Sequence, residues 1–187
     1  MTTRLFNFVG SDSGAWRISS MTCLAGESLP AASHLHVCAA HELGDVGSPA
    51  WVLRGITSNE RYITRGEKSN LVAVQEGLGR PQTTRATLIP IRKTAAWWAL
   101  SQDERRAIFE EQSHHVAVGL RHLPPVARRL HHCRDISQDE PFDFLTWFEY
   151  APAYEQRFDE LLADLRTSEE WKYVDREIDI RVSRDEA

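Results

Sequence analysis

Short runs mixing β-branched or aromatic residues with polar ones fill the first half of the chain. Each run is bounded by Gly, Ser or Pro, which is how strands punctuate a sequence. Residues 5–9 end at GSDSG, and 16–24, 34–39 and 51–56 follow in the same manner. After SNERY, the segment TRGEKSNLVAVQEG opens a short helix, because Thr64 and Glu67 have the spacing of a capping box. Gly66 and Ser69 are poor helix formers within it.

The second half is more regular. Residues 85–93 (RATLIPIRK) alternate as a strand, and Pro90 implies an edge or bulge position. A long helix is expected from Ser101, which caps while Glu104 reaches back, to Leu123, where Pro124-Pro125 stops it. At about 1.5 Å per residue it would span roughly 34 Å. Strands at 128–133 and 142–150 follow, then a helix from Pro152 through Arg166 with Phe158, Leu161, Leu162 and Leu165 on one stripe. A strand at 173–182 closes the chain. The order β-α-β-β-α-β is the ferredoxin-like unit, with two helices on one face of an antiparallel sheet. The expected class is therefore α+β: one domain over 1–187, with a reduced but similar half over about 1–84 and a ferredoxin-like half over about 85–187.

Composition narrows the function. The 187 residues are 42% apolar and 26% charged, with a mean hydropathy of −0.42, which suits one domain large enough to enclose a ligand. Asp plus Glu (27) exceed Lys plus Arg (22), giving a net charge of −5, the wrong sign for a duplex nucleic-acid binder. Apolar runs fall far short of the roughly 20 residues of a membrane helix. The opening MTTRLFNFVGSDSGAW lacks the pattern of an export signal, so a cytoplasmic protein with no membrane or nucleic-acid partner is expected. Cys23, Cys38 and Cys133 are odd in number and form no CxxC, which disfavours a disulfide framework or a thiolate metal site.

Three groups of residues carry candidate chemistry. His114 and His115 point about 100° apart on a helix, and His115 lies beside the apolar stripe of Phe109, Val116, Leu120 and Leu123 while His114 faces away. No histidine pair has the i, i+4 spacing of a zinc helix. A metal here would suit one protein ligand plus a macrocycle, as in haem with a proximal imidazole; a satisfied core histidine is the plain alternative. Arg128, Leu130 and His132 share a strand face, so an inward Leu130 brings Arg128 inward too. There it needs an anion or a carboxylate partner; the plain alternative is an exposed arginine. Finally, Trp97 and Trp98 with Lys93 offer a flat wall and a cation. They form ordinary core, or the side of a planar cofactor bearing carboxylates.

With SNERYITR, LIPIRKTAAWW, EEQSHHVAVGLRHLPPVARRLHHCRDI, PFDFLTWFEYAP and LRTSEEWKYVDREIDI, the chain resembles the chlorite dismutase family in its short form. The resemblance covers nearly the whole length and is densest over 88–182. It implies a dimeric α+β barrel, a homodimer and haem b. In the family's H-x-x-x-G pattern His115 precedes Gly119 and becomes the proximal iron ligand. Glu169 matches the glutamate that accepts the imidazole's other N–H and makes the ring more imidazolate-like, with Glu170 as the neighbouring alternative. Arg128 matches the distal arginine, and Gln75 a distal glutamine that hydrogen-bonds it. Tyr62, Lys93 and Trp97 match residues around the haem edge and propionates.

The implied reaction is ClO2⁻ → Cl⁻ + O2, in which oxygen transfer to iron leaves a ferryl species and hypochlorite that recombine. Arg128 would attract the anion and retain the intermediate. The related coproheme decarboxylases use a tyrosine opening a Y-P-M-x-K-like segment, where this chain has Ile89-Pro90-Ile91-Arg92-Lys93. Dye-decolourising peroxidases carry a GxxDG motif that is missing here. A non-catalytic haem-binding protein and a cofactor-free barrel are the remaining alternatives, separated by haem titration and by oxygen evolution.

Overall fold

The alternating runs of the first half become β1 (Leu5–Ser11), β2 (Trp16–Ala25), β3 (His34–Ala39) and β4 (Trp51–Thr57). The second half adds β5 (Arg85–Lys93), β6 (Ala127–His132), β7 (Phe144–Tyr150) and β8 (Val174–Ser183). A computed structural model describes residues 4–42, 44, 48–58 and 61–185. In it the eight strands close into one barrel, ordered β1-β3-β2-β8-β5-β7-β6-β4. Every pairing among the described residues is antiparallel. Each half supplies four neighbouring strands in the same order, β4-β1-β3-β2 and β8-β5-β7-β6, and one chain closes the barrel by itself. Two seams close on two residue pairs each, β2 to β3 at Trp16 and Arg17 and β4 to β6 at Ile56 and Thr57.

Alternation along the strands sorts the core into two layers. Phe8, Leu35, Leu53, Leu88, Leu145, Trp147, Ile178 and Ile180 fill the barrel interior. Ile89, Ile91, Phe148 and Tyr150 belong to a second layer with Val118 and with Phe158, Leu161, Leu162 and Leu165. β5 and β7 are thus apolar on both faces. Closing the barrel also demands a tight crossing. The link between β1 and β2 passes over the start of β3, where a Cβ on Gly14 would stand 2.8 Å from the Leu35 carbonyl oxygen. Only glycine fits so near another backbone.

Two capping boxes form where the spacing predicts them. Thr64 and Glu67 start α1 (Arg65–Val74), and Ser101 and Glu104 start α3 (Gln102–Arg106). Between β5 and α3 lies α2 (Ala95–Ala99), capped by Thr94 and carrying both tryptophans. The stripe of Phe158, Leu161, Leu162 and Leu165 is buried along α5 (Glu155–Arg166).

The single helix expected over 101–123 does not form. After α3 the chain widens into π-helical turns over Ala107–Gln112. His114 then adopts a left-handed conformation (φ 51°, ψ 35°), and a separate α4 runs over His115–His122. One tertiary and one local side-chain bond accompany the break. The Ser113 hydroxyl accepts the Glu170 amide N–H at 2.8 Å, and the Glu110 carboxylate accepts the Val116 amide N–H at 2.7 Å. The second bond satisfies an orphan donor that His114 cannot cap. Pro90 is not at an edge either. It pairs with Leu145 of β7, and the ladder to β8 lapses at Ile89 and Pro90 before resuming at Ile91↔Glu177. The missing N–H is absorbed by that local lapse. Among the described residues, no helix is long and apolar enough to cross a membrane.

Candidate active site

Between the outer face of β5, β6 and β7 and the helices α4 and α5 lies a slot. It consists of two adjoining cavities of about 690 and 600 Å³, and Ile91, His115, Arg128, Leu130 and Thr146 line both. One end is apolar, walled by Val116, Leu123, Val126, Leu161 and Leu165. The other is polar and aromatic, walled by Arg61, Tyr62, Lys93, Trp97, His132 and Glu170. A third cavity, under α1, reaches Arg128 beside Gln75.

The helix break puts His115 first in α4 and turns its ring into the slot. Phe109 stacks on that ring with centroids 4.4 Å apart. Its Nδ1 lies 2.8 Å from Glu170 Oε2, and Nε2 has no partner among the described residues. The other carboxylate oxygen of Glu170, Oε1, accepts from Lys93 Nζ at 2.9 Å. Lys93 in turn sits 4.7 Å from the Trp97 ring centroid. Burial by itself would raise the Glu170 pKa. The charges and hydrogen bonds of Lys93 and His115 outweigh it and hold the carboxyl at about 2. The result is a buried Lys93–Glu170–His115 relay behind one free imidazole nitrogen.

On β6 the two-residue period turns Arg128, Leu130 and His132 toward the slot. Arg129 and His131 face the barrel, where His131 meets Phe6 and Phe8 edge-on and bonds the Leu145 carbonyl at 3.1 Å through Nδ1. The Arg128 guanidinium has no hydrogen bond or ion pair among the described residues. Arg128 lines both parts of the slot and the third cavity, and burial lowers its pKa. Gln75 Nε2 donates to the backbone carbonyl of Arg128 at 2.7 Å. It holds the strand, not the guanidinium.

Two of the residues nominated by the sequence stand elsewhere in the network. Glu169 is exposed and pairs with Lys172 at 2.6 Å, so the carboxylate facing His115 is Glu170. Both lie in a 3-10 turn over Glu169–Tyr173, where neighbours point about 120° apart and only one can face inward. Lys93, expected near cofactor carboxylates, is committed to Glu170. Trp97 and Tyr62 line the slot with ring centroids 6.0 Å apart. Trp98 instead donates through Nε1 to Asp143 at 3.1 Å. Among the described residues lining the slot, Trp97 Nε1, His122 Nδ1 and both ring nitrogens of His132 are buried without a hydrogen-bond partner.

The family model for chlorite dismutase matches residues 20–185. The chain belongs to the chlorite dismutase family. A solved dimeric chlorite dismutase from Nitrobacter winogradskyi is 56% identical, with a TM-score of 0.87 over 96% of this chain and 99% of that one. A mutant chlorite dismutase from Candidatus Nitrospira defluvii shares the fold at 19% identity and a TM-score of 0.67, covering 99% of this chain and 93% of its own. In this member of the chlorite dismutase family, sequence reasoning left Arg61, Phe109 and His132 out of the site. His132 carried a usable signal, the face it shares with Arg128. Arg61 and Phe109 carried none, since a loop and a π-helical turn bring them to the slot.

Proposed function

We propose that the chain binds haem b in this slot through His115 and converts chlorite to chloride and dioxygen, ClO2⁻ → Cl⁻ + O2. The observation that carries the reading is Arg128: a half-buried guanidinium without a counter-ion among the described residues, sharing a slot with an imidazole whose Nε2 has no partner among them. The residues present fit a tetrapyrrole. The slot is apolar at one end and polar at the other, and the buried, unpaired nitrogens of Trp97 and His132 await acceptors. When bound, the haem supplies a redox-active iron able to take an oxygen atom and give it back.

The protein's own residues divide the remaining work. His115 would hold the iron through Nε2, while Glu170 accepts the Nδ1–H and lends the ring anionic character. Lys93 balances that buried carboxylate at 2.9 Å. Arg128 draws the anionic substrate into a site of low dielectric and retains the chlorine oxyanion until dioxygen has formed. No proton enters the balanced reaction, so no general base is needed. Gln75 steadies the β6 backbone that carries Arg128. Ile89, 1% exposed, lines the slot where a decarboxylase of this fold would need a phenol, which favours chlorite chemistry.

The two four-stranded sets read as ferredoxin-like halves, the reduced one over about 1–84 and the haem-binding one over about 85–187. The name of the 56% identical relative, a dimeric enzyme, supports a homodimer here, and light scattering showing a monomer or a pentamer would overturn that. An oxygen electrode tests the function directly. Haem-loaded protein given chlorite is expected to release one O2 per chlorite consumed. Failure to take up haem, or chlorite loss without oxygen, refutes the reading.

A further inference from the structure

The polar end of the slot holds more donors than acceptors. Among the described residues on its wall, Glu170 is the one carboxylate, and Lys93 and His115 already occupy both of its oxygens. Lys93 donates to the carboxylate and the backbone carbonyl of Glu170, so its charge is compensated before any ligand arrives. Arg61 is paired with Asp135 at the same end. His132 stands apart from these. It is 1% exposed, its ring meets Phe144 edge-on at 4.7 Å, and neither of its nitrogens has a hydrogen bond among the described residues. A buried donor or acceptor left unpaired forfeits its hydration without compensation, so such a ring calls for a partner. Burial first, and then the charge of Arg61, hold its pKa at about 4. At neutral pH the ring is uncharged and offers one N–H.

Position says which partner. His132 lies four residues beyond Arg128 on the same face of β6, roughly 13 Å away along the strand at about 3.3 Å per residue. That distance separates the centre of a macrocycle from groups beyond its rim. The opposite end of the slot is mostly hydrocarbon, with Leu123, Val126, Leu161 and Leu165, and His122 there lies 3.9 Å from the Asp164 carboxylate. We propose that His132 anchors a carboxylate of the bound tetrapyrrole, so that the carboxylate edge faces His132 and the hydrocarbon edge faces α4 and α5. Trp97 Nε1 is the second unpaired donor at that end. The inference rests on the haem reading above and replaces Lys93 as the carboxylate partner.

The test compares two probes on each protein: iron protoporphyrin IX and its dimethyl ester, which lacks the anionic carboxylates. Apo protein is titrated with each while the Soret band reports binding. The parent is expected to prefer the diacid. In His132→Leu that preference falls roughly tenfold or more, the range of a hydrogen bond to a charged group, while ester affinity stays within a factor of about two. His132→Gln, which keeps an N–H donor, recovers most of the preference. Because the ratio is taken within one protein, a general loss of stability cancels. An unchanged diacid-to-ester ratio in His132→Leu overturns the inference. A parent that binds neither probe overturns the haem reading instead.

Discussion

Replacing Glu170 by glutamine removes the charge that Lys93 and His115 share while keeping nearly the same shape. Glu170 is 6% exposed, so solvent screens its partners little. A carboxyl held at about 2 against an ordinary 4.5 favours its charged form by about 3 kcal/mol, at roughly 1.4 kcal/mol per pKa unit. That agrees with the 3–5 kcal/mol typical of breaking a buried ion pair from one side. The folded pKa lies below the unfolded one, so this stabilisation is complete above about pH 4.5 and is lost as the pH falls toward 2. Urea unfolding of the apo protein, followed by the fluorescence of its six tryptophans, measures it. Glu170→Gln should be less stable than the parent by about 3 kcal/mol at pH 7, and by less than half of that near pH 3. Adding Lys93→Met should recover part of the loss, because the uncompensated ammonium is gone. A difference below about 1 kcal/mol at pH 7, or one that does not shrink on acidification, would refute the buried relay.

The remaining predictions concern the two sides of the slot. His115→Ala should leave the apo fold intact, since Lys93 and Glu170 still pair, yet abolish stable haem ligation; a retained Soret band through gel filtration would count against His115 as the ligand. Arg128→Ala should keep haem bound but lower kcat/KM for chlorite about 10- to 100-fold, the range for losing a charged hydrogen bond of about 1.5–3 kcal/mol. It should also shorten the enzyme's working life, read as total oxygen released before inactivation. Parent-like behaviour across pH and chlorite concentration would exclude the distal role.

Legibility followed the range of the interaction that decides each element. β3 and β5 match their expected limits because alternation and flanking turn residues are local, and so are the two capping boxes and the buried stripe of α5. The break at His114 was invisible. No Gly or Pro interrupts 101–118, and the bonds that accompany the split, to Glu170 and Glu110, are not encoded by the helical pattern. Pro90 misled for the same reason, because a missing N–H marks an edge only when no barrel closes around it.

The site divides along that line too. A period of two is enough to place Arg128, Leu130 and His132 on one face, and β6 carries them to one wall. Choosing between Glu169 and Glu170 needs the phase of a 3-10 turn, which nothing nearby in the sequence sets. Once Glu170 is the inward carboxylate, Lys93 follows it, since a buried ammonium goes to the nearest buried counter-charge. That single assignment moves the lysine from the cofactor's carboxylates to the imidazole relay. It leaves His132 and Trp97, rather than Lys93, as the buried donors still lacking an acceptor at the polar end.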